Sequence, residues 1–368
     1  MRPPKIIISG GGTGGQIFPA IAIADRLKEL QPDAEFLFVG AIGRMEMERV
    51  PKAGYPIKGL NISGLQRSLS AKNLSFPFKV LRSLADSKKI ISDFKPDVAI
   101  GVGGYASGPL LHVAARKRIP SLIQEQNSFP GITNRLLAKK VDKICVSYDG
   151  MEKWFPSQKL VMTGNPVRQS LVSIQADRKE AIQYFGLEQD IPIVLVVGGS
   201  LGARTINQSI EGAIDEIGRS NIQVIWQTGK SYSERAEELK ATGVPKNLHI
   251  TPFIERMDLA YSAADLIVSR AGAMALSELC LVGKPCILVP SPNVAEDHQT
   301  KNAMALVNKN AAVLVKDNEA REKLWDTIQD ILNDQDRSKE LGKNAKSIGI
   351  PDSSDRIAKE ILELIGAN

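Results

Sequence analysis

Residues 266–302 read LIVSRAGAMALSELCLVGKPCILVPSPNVAEDHQTKN, and this stretch decides the fold of the second half of the chain. The apolar run 266–269 predicts a buried strand, and the small residues from 273 onwards predict a helix that begins after a tight turn. A second apolar run, 285–290, predicts the next strand. A strand, a helix and a second strand in this order are typical of a parallel α/β sheet, whose ligands bind at the carboxyl ends of the strands.

The start of the predicted helix at residue 273 has the features of a binding site for a phosphorylated sugar. Small side chains let a ligand approach the backbone N–H groups of the first turn, which carry partial positive charge and suit a phosphate. Glu278, further along the same helix, offers acceptors for sugar hydroxyls. Polar residues at 297–302 cluster beyond the next strand. We therefore expect a nucleotide-sugar to bind at this edge.

The same arrangement of strand, glycine turn and helix occurs twice in the chain. The run 5–9 leads into GGGTGG, and the run 194–197 leads into GGSLGA; a segment with helical spacing of apolar residues follows each. We predict two Rossmann-like α/β domains, the first over residues 1–165 and the second over 166–350. A C-terminal helix in 351–368 is expected to cross back and pack on the first domain.

Twelve strands are predicted, and they alternate with helices in both halves. Six precede the turn Gly164-Asn165-Pro166, which marks the expected domain boundary, and six follow it. Their predicted bounds are 5–9, 36–39, 98–101, 121–124, 143–146, 160–163, 194–197, 223–226, 248–250, 266–269, 286–289 and 312–315.

Composition narrows the class of protein. The chain has 368 residues, of which 43% are hydrophobic and 24% are charged, as expected of a globular protein with about two domains. No apolar run approaches the roughly 20 residues that span a bilayer, so we expect a cytosolic protein. The three cysteines form no C-x-x-C pair and lie in apolar segments, which favours buried thiols. We expect no metal site.

Charge is divided unevenly along the chain. Residues 1–165 hold 24 basic and 13 acidic residues, a net charge of +11, whereas 166–368 hold 23 and 28, a net charge of −5. A basic half indicates an anionic partner, either nucleic acid or anionic lipid. Segment 71–95 is either an ordinary amphipathic helix or a membrane-contacting one, and the basic clusters at 116–118 and 139–140 favour the membrane. No pattern of basic and aromatic residues predicts nucleic-acid binding.

Seven motifs together identify a family. In chain order they are GGGTGG (10–15), GVGGYASGP (101–109), EQN (125–127), GNPVR (164–168), GGSLGAR (198–204), SRAGAMALSE (269–278) and DHQTKNA (297–303). Each alone is weak, but the ordered set is specific. The chain resembles glycosyltransferase family 28, in particular its UDP-N-acetylglucosamine transferases of peptidoglycan synthesis, and the resemblance covers nearly the whole chain.

The resemblance implies the GT-B fold, in which two Rossmann-like domains face each other across a cleft. It also implies inverting transfer of N-acetylglucosamine from UDP-GlcNAc to the 4-hydroxyl of MurNAc in lipid I (undecaprenyl-diphospho-MurNAc-pentapeptide), giving lipid II. No cofactor and no metal are implied. The enzyme would be peripheral at the cytoplasmic face of the cell membrane, with its basic half on anionic lipid and other cell-wall synthesis proteins as further partners.

The resemblance also assigns substrate-binding residues. Glu278 would bind the ribose, the Ile254 backbone the uracil, and residues 273–277 with Ser200 and Arg168 the diphosphate. Gln299 and Asn127 would contact the donor sugar, and the turn 13–15 would close the site from the first domain. The full set is Thr13, Gly14, Gly15, Asn127, Arg168, Ser200, Ile254, Ala273, Met274, Ala275, Leu276, Ser277, Glu278 and Gln299.

The sequence alone does not assign the catalytic base. The family motif continues GGTGGH, and its histidine is a candidate base, but this chain has Gln16, whose amide cannot take a proton at neutral pH. Glu125 is the nearest ionisable candidate by motif, with a purely structural role as the alternative. Asp334 and Asp336 form a D-x-D that we interpret as a solvated loop.

Three other functions compete with this interpretation. A dinucleotide oxidoreductase would explain the glycine turns, but neither turn is followed by a ribose-binding acid at the usual distance. A nucleotide-sugar-binding protein with impaired turnover is the second alternative, since Gln16 stands in place of the family histidine. A glycosyltransferase with a different lipid acceptor is the third alternative.

Overall fold

The computed structural model describes residues 2–62, 76–167 and 176–367. The chain forms two compact units. The first contains Met1–Val167 and Asp352–Asn368, and the second contains Arg168–Pro351. Each unit is a parallel β-sheet with helices between its strands. The α/β fold class is therefore confirmed.

The first unit holds a seven-stranded parallel sheet in the order β3-β2-β1-β4-β5-β6-β7. Its strands are β1 (Lys5–Ser9), β2 (Glu35–Ala41), β3 (Ile57–Leu60), β4 (Val98–Gly101), β5 (Ser121–Glu125), β6 (Lys143–Val146) and β7 (Leu160–Met162). Its described helices are α1 (Gly14–Leu30), α2 (Glu46–Lys52), α3 (Phe76–Phe94), α4 (Ser107–Arg116), α5 (Ile132–Leu137) and, from the C-terminal segment, α15 (Ser353–Leu364).

The second unit holds a six-stranded parallel sheet in the order β10-β9-β8-β11-β12-β13. Its strands are β8 (Ile193–Val197), β9 (Gln223–Gln227), β10 (Leu248–Thr251), β11 (Leu266–Ser269), β12 (Cys286–Leu288) and β13 (Val313–Leu314). Its described helices are α6 (Arg178–Phe185), α7 (Arg204–Gly212), α8 (Ile214–Arg219), α9 (Ser233–Thr242), α10 (Met257–Ala263), α11 (Ala273–Val282), α12 (His298–Val307), α13 (Ala320–Asn333) and α14 (Gln335–Ile348).

Burial on both faces explains why the central strands are continuous apolar runs. In β1, Ile6 and Ile8 pack with α1 on one face of the sheet, while Ile7 belongs to the hydrophobic core on the other face. All three are 0% exposed. A central strand of a parallel sheet is covered by helices on both sides, so it has no solvent face on which polar residues would alternate.

The C-terminal helix α15 is part of the first unit. Its Ile357, Ala358 and Ile361 are fully buried in the same core as the apolar face of α1. At the surface, Arg26 of α1 donates to Asp355 at 2.6 Å.

A buried polar cluster around Asn165 lies near the point at which the chain leaves the first unit, after Val167. The Asn165 side chain accepts from Gln124 at 2.9 Å and from Ser147 at 2.7 Å. Its carbonyl accepts from Ser353 at 2.6 Å. Because these partners all lie in the first unit, Asn165 belongs to that unit.

The structure adds one strand to those predicted and contains most of one predicted helical segment. Strand β3 was not predicted, because its sequence, IKGL, has a lysine and a glycine and lies at the sheet edge. Helix α3 begins at Phe76 within the predicted segment 71–95, and residues 71–75 lie outside the described residues. Among the described residues, no helix is both long and apolar enough to cross a bilayer.

Candidate active site

Glycine turns follow the first strand of each sheet. The first glycine turn, residues 10–15, connects β1 to α1, and Gly12 has a φ of +94°, a conformation that favours glycine. Thr13 is the extended residue before the helix, and Thr13 and Gly15 are exposed. The turn therefore presents the start of a 17-residue helix to solvent, as a ligand-binding role for Thr13, Gly14 and Gly15 requires.

Gln16 connects two glycine turns of the first unit. In the amide orientation that satisfies both neighbours, its nitrogen donates to the Gly11 carbonyl and its oxygen accepts from Gly104 N–H at 3.2 Å. The two turns approach so closely that a Cβ on Gly104 would collide with the Gly11 carbonyl. Gln16 is therefore placed to hold the turns together, and its amide is no proton acceptor.

Glu125, the other candidate base, is buried at 2% exposure and accepts four hydrogen bonds. One oxygen accepts from the backbone and side-chain amides of Asn127 at 3.0 and 3.2 Å. The other accepts from Gly131 N–H at 3.2 Å and from the Asn134 side chain at 2.8 Å. Burial raises the pKa of the Glu125 carboxyl, and the four donors oppose that rise. These contacts fit the structural alternative, because every donor belongs either to the loop that follows β5 or to the first turn of α5.

Aromatic packing holds the same loop on its other side. The rings of Phe129 and Trp154 meet edge to face at 4.9 Å. The Arg135 guanidinium lies over both rings, 5.4 Å from the first and 5.2 Å from the second. Asn127, which the sequence assigns to the donor sugar, is thus carried on a loop fixed at both ends.

The second-unit glycine turn, residues 198–202, follows β8 and carries Ser200. Gly199 has a φ of +83°, and Ser200 is exposed. The Ser200 carbonyl accepts from Lys230 N–H at 3.1 Å. Gly202 packs so closely on the Thr228 carbonyl that a Cβ would collide with it. The turn is therefore fixed by its backbone, which leaves the Ser200 hydroxyl at the surface.

Helix α11 begins next to that turn, because β8 and β11 are paired neighbours with Val197 opposite Ser269. Ala273 and Leu276 are buried at 8% and 1% exposure, so only their backbone could serve a ligand. Met274, Ala275 and Ser277 are half-buried, and the Ser277 hydroxyl donates to the Ala273 carbonyl at 3.1 Å.

Glu278, the predicted ribose ligand, is half-buried and accepts from the Tyr261 hydroxyl at 3.3 Å. Burial and the neighbouring Glu278 carboxylate raise the pKa of Tyr261 well above its usual value, so the phenol stays a donor. Tyr261 was not predicted, because nothing in the sequence spacing connects α10 to α11. Sequence reasoning could not have paired these residues without the helix packing.

Gln227 is a second residue that sequence reasoning missed. Its oxygen accepts from Ile254 N–H at 3.0 Å, and its nitrogen donates to the Gly199 carbonyl at 3.3 Å. The Ile254 group that can face a nucleobase is then its carbonyl oxygen. A polar residue at the carboxyl end of buried strand β9 was the available signal.

The remaining predicted residues are placed as follows. Gln299, near the start of α12, accepts from Ser291 N–H at 2.8 Å, which holds its side chain against the loop after β12. Asp334 caps the start of α14 and accepts from Arg337 N–H at 3.0 Å, and Asp336 lies within that helix, so the D-x-D is a helix start and not the predicted loop. Arg168 lies outside the described residues.

Comparisons with known proteins agree with this architecture. Residues 6–146 match the N-terminal domain model of glycosyltransferase family 28, and residues 193–357 match its C-terminal domain model. A solved structure, MurG of Acinetobacter baumannii, has a TM-score of 0.80 at 29% identity, covering 98% of this chain and 100% of that chain. A UDP-N-acetylglucosamine 2-epimerase, with a TM-score of 0.67 and 14% identity, shares the fold.

Curated relatives match along the full length. A protein of Parabacteroides distasonis is 56% identical, covering 99% of both chains, and one of Bacteroides fragilis is 54% identical, covering 98% of this chain and 95% of the relative. Both carry the name UDP-N-acetylglucosamine--N-acetylmuramyl-(pentapeptide) pyrophosphoryl-undecaprenol N-acetylglucosamine transferase. With both of its units matched, the chain belongs to glycosyltransferase family 28 and is a hexosyltransferase.

Proposed function

We propose that this enzyme transfers N-acetylglucosamine from UDP-GlcNAc to the 4-hydroxyl of MurNAc in lipid I, giving lipid II for peptidoglycan synthesis. The name carried by its full-length relatives supports both substrates. The supporting observation in the structure is one edge of the second sheet, where the second-unit glycine turn and the start of α11 follow paired strands. Glu278 lies in the same helix.

The donor would bind along this edge. Backbone N–H groups in the first turn of α11 and the Ser200 hydroxyl suit the diphosphate, with Arg168 as a further cationic ligand. The Glu278 carboxylate, with Tyr261 donating to it, suits the ribose hydroxyls. The Ile254 carbonyl suits the uracil N–H. Gln299 and Asn127 are the proposed contacts of the donor sugar, and Thr13, Gly14 and Gly15 are proposed substrate contacts in the first unit.

The reaction is a displacement at the anomeric carbon. The acceptor 4-hydroxyl forms the new C1–O bond on the face opposite UDP, the C1–O bond to UDP breaks, and the configuration inverts from α to β. The N-terminal end of α11 and Arg168 stabilise the negative charge that develops on UDP. The hydroxyl proton passes to a general base as the new bond forms. The Gln16 amide cannot take it, and Glu125, the nearest ionisable candidate by motif, would do so only in exchange for hydrogen bonds that it accepts from Asn127, Gly131 and Asn134.

We also assign the membrane contact to the first unit. Helix α3 exposes Phe78 and Leu81 at 74% and 65%, and Arg82 and Lys88 are exposed on the same helix. Exposed apolar groups beside basic ones suit an anionic lipid surface. The lipid acceptor requires the enzyme to work at such a surface, at the cytoplasmic face of the membrane. Other cell-wall synthesis proteins are further proposed partners.

The test is transfer of labelled N-acetylglucosamine from UDP to a short-chain lipid I analogue. A β-1,4-linked product from the full chain supports the proposal. Thermal stabilisation by UDP-GlcNAc without transfer would instead indicate a protein that binds the donor without turnover or uses another lipid acceptor.

A further inference from the structure

Glu46 is a buried carboxylate beside the first glycine turn. It is the first residue of α2 and is 1% exposed. One carboxylate oxygen accepts from Gly12 N–H at 2.9 Å, and the other accepts from Ala41 N–H, at the end of β2, at 2.9 Å. Within the part of the chain that the structure describes, no cation forms an ion pair with Glu46.

Two glycines make room for this carboxylate. A Cβ on Gly11 would collide with the Glu46 carboxyl group, and a Cβ on Gly40 would lie 2.5 Å from its Cγ. Glycine at positions 11 and 40 therefore leaves space for the Glu46 carboxylate, a charged group that is costly to bury. Such a cost indicates a requirement for this group at this place.

The two hydrogen bonds explain why the group is a carboxylate. Both partners are N–H donors, and an ionised carboxylate is the common side-chain group whose two terminal atoms both accept. A glutamine amide of the same shape would direct its NH₂ group at one of the two N–H donors. A buried donor would then lose its partner, at a cost well above that of a surface hydrogen bond.

We propose that Glu46 is a positioning residue of the transferase, which holds the first glycine turn in its active conformation through Gly12 N–H. This inference rests on the proposed function, because it takes the adjacent Thr13, Gly14 and Gly15 as substrate contacts. Glu46 reaches the turn from the side of β2, whereas Gln16 joins it to Gly104. The turn is thus fixed from two directions.

The test compares Glu46→Gln with Glu48→Gln in the full chain. Glu48 lies in the same helix, pairs with Lys52 and is exposed, so the control makes the same chemical change away from the turn. Without substrate, amide hydrogen exchange across residues 11–13 should become about tenfold faster in Glu46→Gln and stay unchanged in the control. In the transfer assay, kcat should fall about tenfold, with KM for UDP-GlcNAc within about twofold.

Each possible result either supports or overturns the positioning role of Glu46. Unchanged exchange in Glu46→Gln would overturn the hydrogen-bonding role, even if wild-type protein showed no transfer to lipid I, so the proposed function can fail separately. Faster exchange with unchanged kcat would overturn the positioning role. A parallel loss of kcat and of donor affinity would mean that the substitution disturbs the whole protein, and it would also overturn the role.

A double-mutant cycle covers the case in which Glu46→Gln does not fold. Gly11→Ala retains Glu46 but displaces its carboxyl group, so it should reproduce the faster exchange and the lower kcat. In a Glu46→Ala background, the same Gly11→Ala change should have little additional effect, because there is no carboxyl group left to displace. Additive effects would contradict the proposal.

Discussion

At the scale of single residues, the question for the first unit is whether position 16 must carry a proton acceptor. Its amide both donates and accepts, and it uses both functions to join Gly11 to Gly104. A neutral imidazole also has one donor and one acceptor. A histidine at position 16 could therefore join the same two backbone groups without taking part in proton transfer.

We predict that Gln16→His keeps kcat within about threefold, whereas Gln16→Ala lowers it about tenfold or more, because the Gly11 carbonyl and the Gly104 N–H lose their partner. The measurement is transfer of labelled N-acetylglucosamine to the lipid I analogue, with circular dichroism to check folding. A histidine variant that is more than about a hundredfold faster would contradict this, since it would mean that the natural chain lacks a base.

The second prediction at this scale concerns Glu278 and Tyr261. Glu278→Ala should weaken UDP-GlcNAc binding at least about tenfold, since it removes the charge-assisted hydrogen bond that we propose Glu278 makes to the ribose. Tyr261→Phe should weaken binding only about two- to fivefold, because it loses one hydrogen bond of 3.3 Å that orients the carboxylate. Calorimetric titration with UDP-GlcNAc checks both. An equal loss of donor and acceptor binding in Glu278→Ala would exclude the ribose role.

At the scale of elements, the two glycine turns that look like repeats are held by different chemistry. The first is held by the Glu46 carboxylate, which occupies Gly12 N–H. The second is held through Gly199 by the neutral Gln227 amide. A phosphate is repelled by a buried carboxylate and tolerates an amide. This difference favours a diphosphate at the second turn and uncharged groups at the first.

Helix α3 carries the prediction at this scale. Phe78→Ser with Leu81→Ser should weaken binding to phosphatidylglycerol vesicles about tenfold, because apolar area that would enter the lipid is lost. Tyr184→Ser is the matched control, since Tyr184 is 54% exposed in the acidic second unit. Vesicle sedimentation at low and high salt measures both. Equal binding by the double variant and the wild type would exclude α3 as the contact.

At the scale of the whole molecule, the first unit is built from two segments that are far apart in the sequence. The chain leaves the first unit after Val167 and returns to it at Asp352. Helix α15 therefore completes a core that begins with β1, more than 300 residues earlier in the sequence. Stability of the first unit depends on the last residues of the chain.

Deleting residues 353–368 tests this dependence. The deletion should reduce hydrogen-exchange protection of α1 by about a hundredfold or more, because two buried isoleucines leave its core. Protection of α13 in the second unit should stay unchanged. Deleting only 366–368 retains α15 and Ile365, which packs on the same core, and is the matched control. Equal loss of protection in α1 and α13 would contradict the assignment of α15 to the first unit.

Most of the fold was predictable because parallel sheets produce local signals. Buried strands such as β1 and β11 are short apolar runs followed by glycine turns, and both were predicted with their observed bounds. Edge strand β3 was not predicted, because an edge strand is less buried and tolerates lysine and glycine. The family was also predictable, because ordered glycine motifs are read directly from the sequence.

The sequence by itself determined the fold class and the family, since these depend on residue types that are close along the chain. Only the tertiary structure decided what each polar side chain does. The donors that surround the Glu125 and Glu46 carboxylates show this, because they determine which backbone and side-chain groups each carboxylate can hold. Those donors come from residues that only folding brings within hydrogen-bond distance.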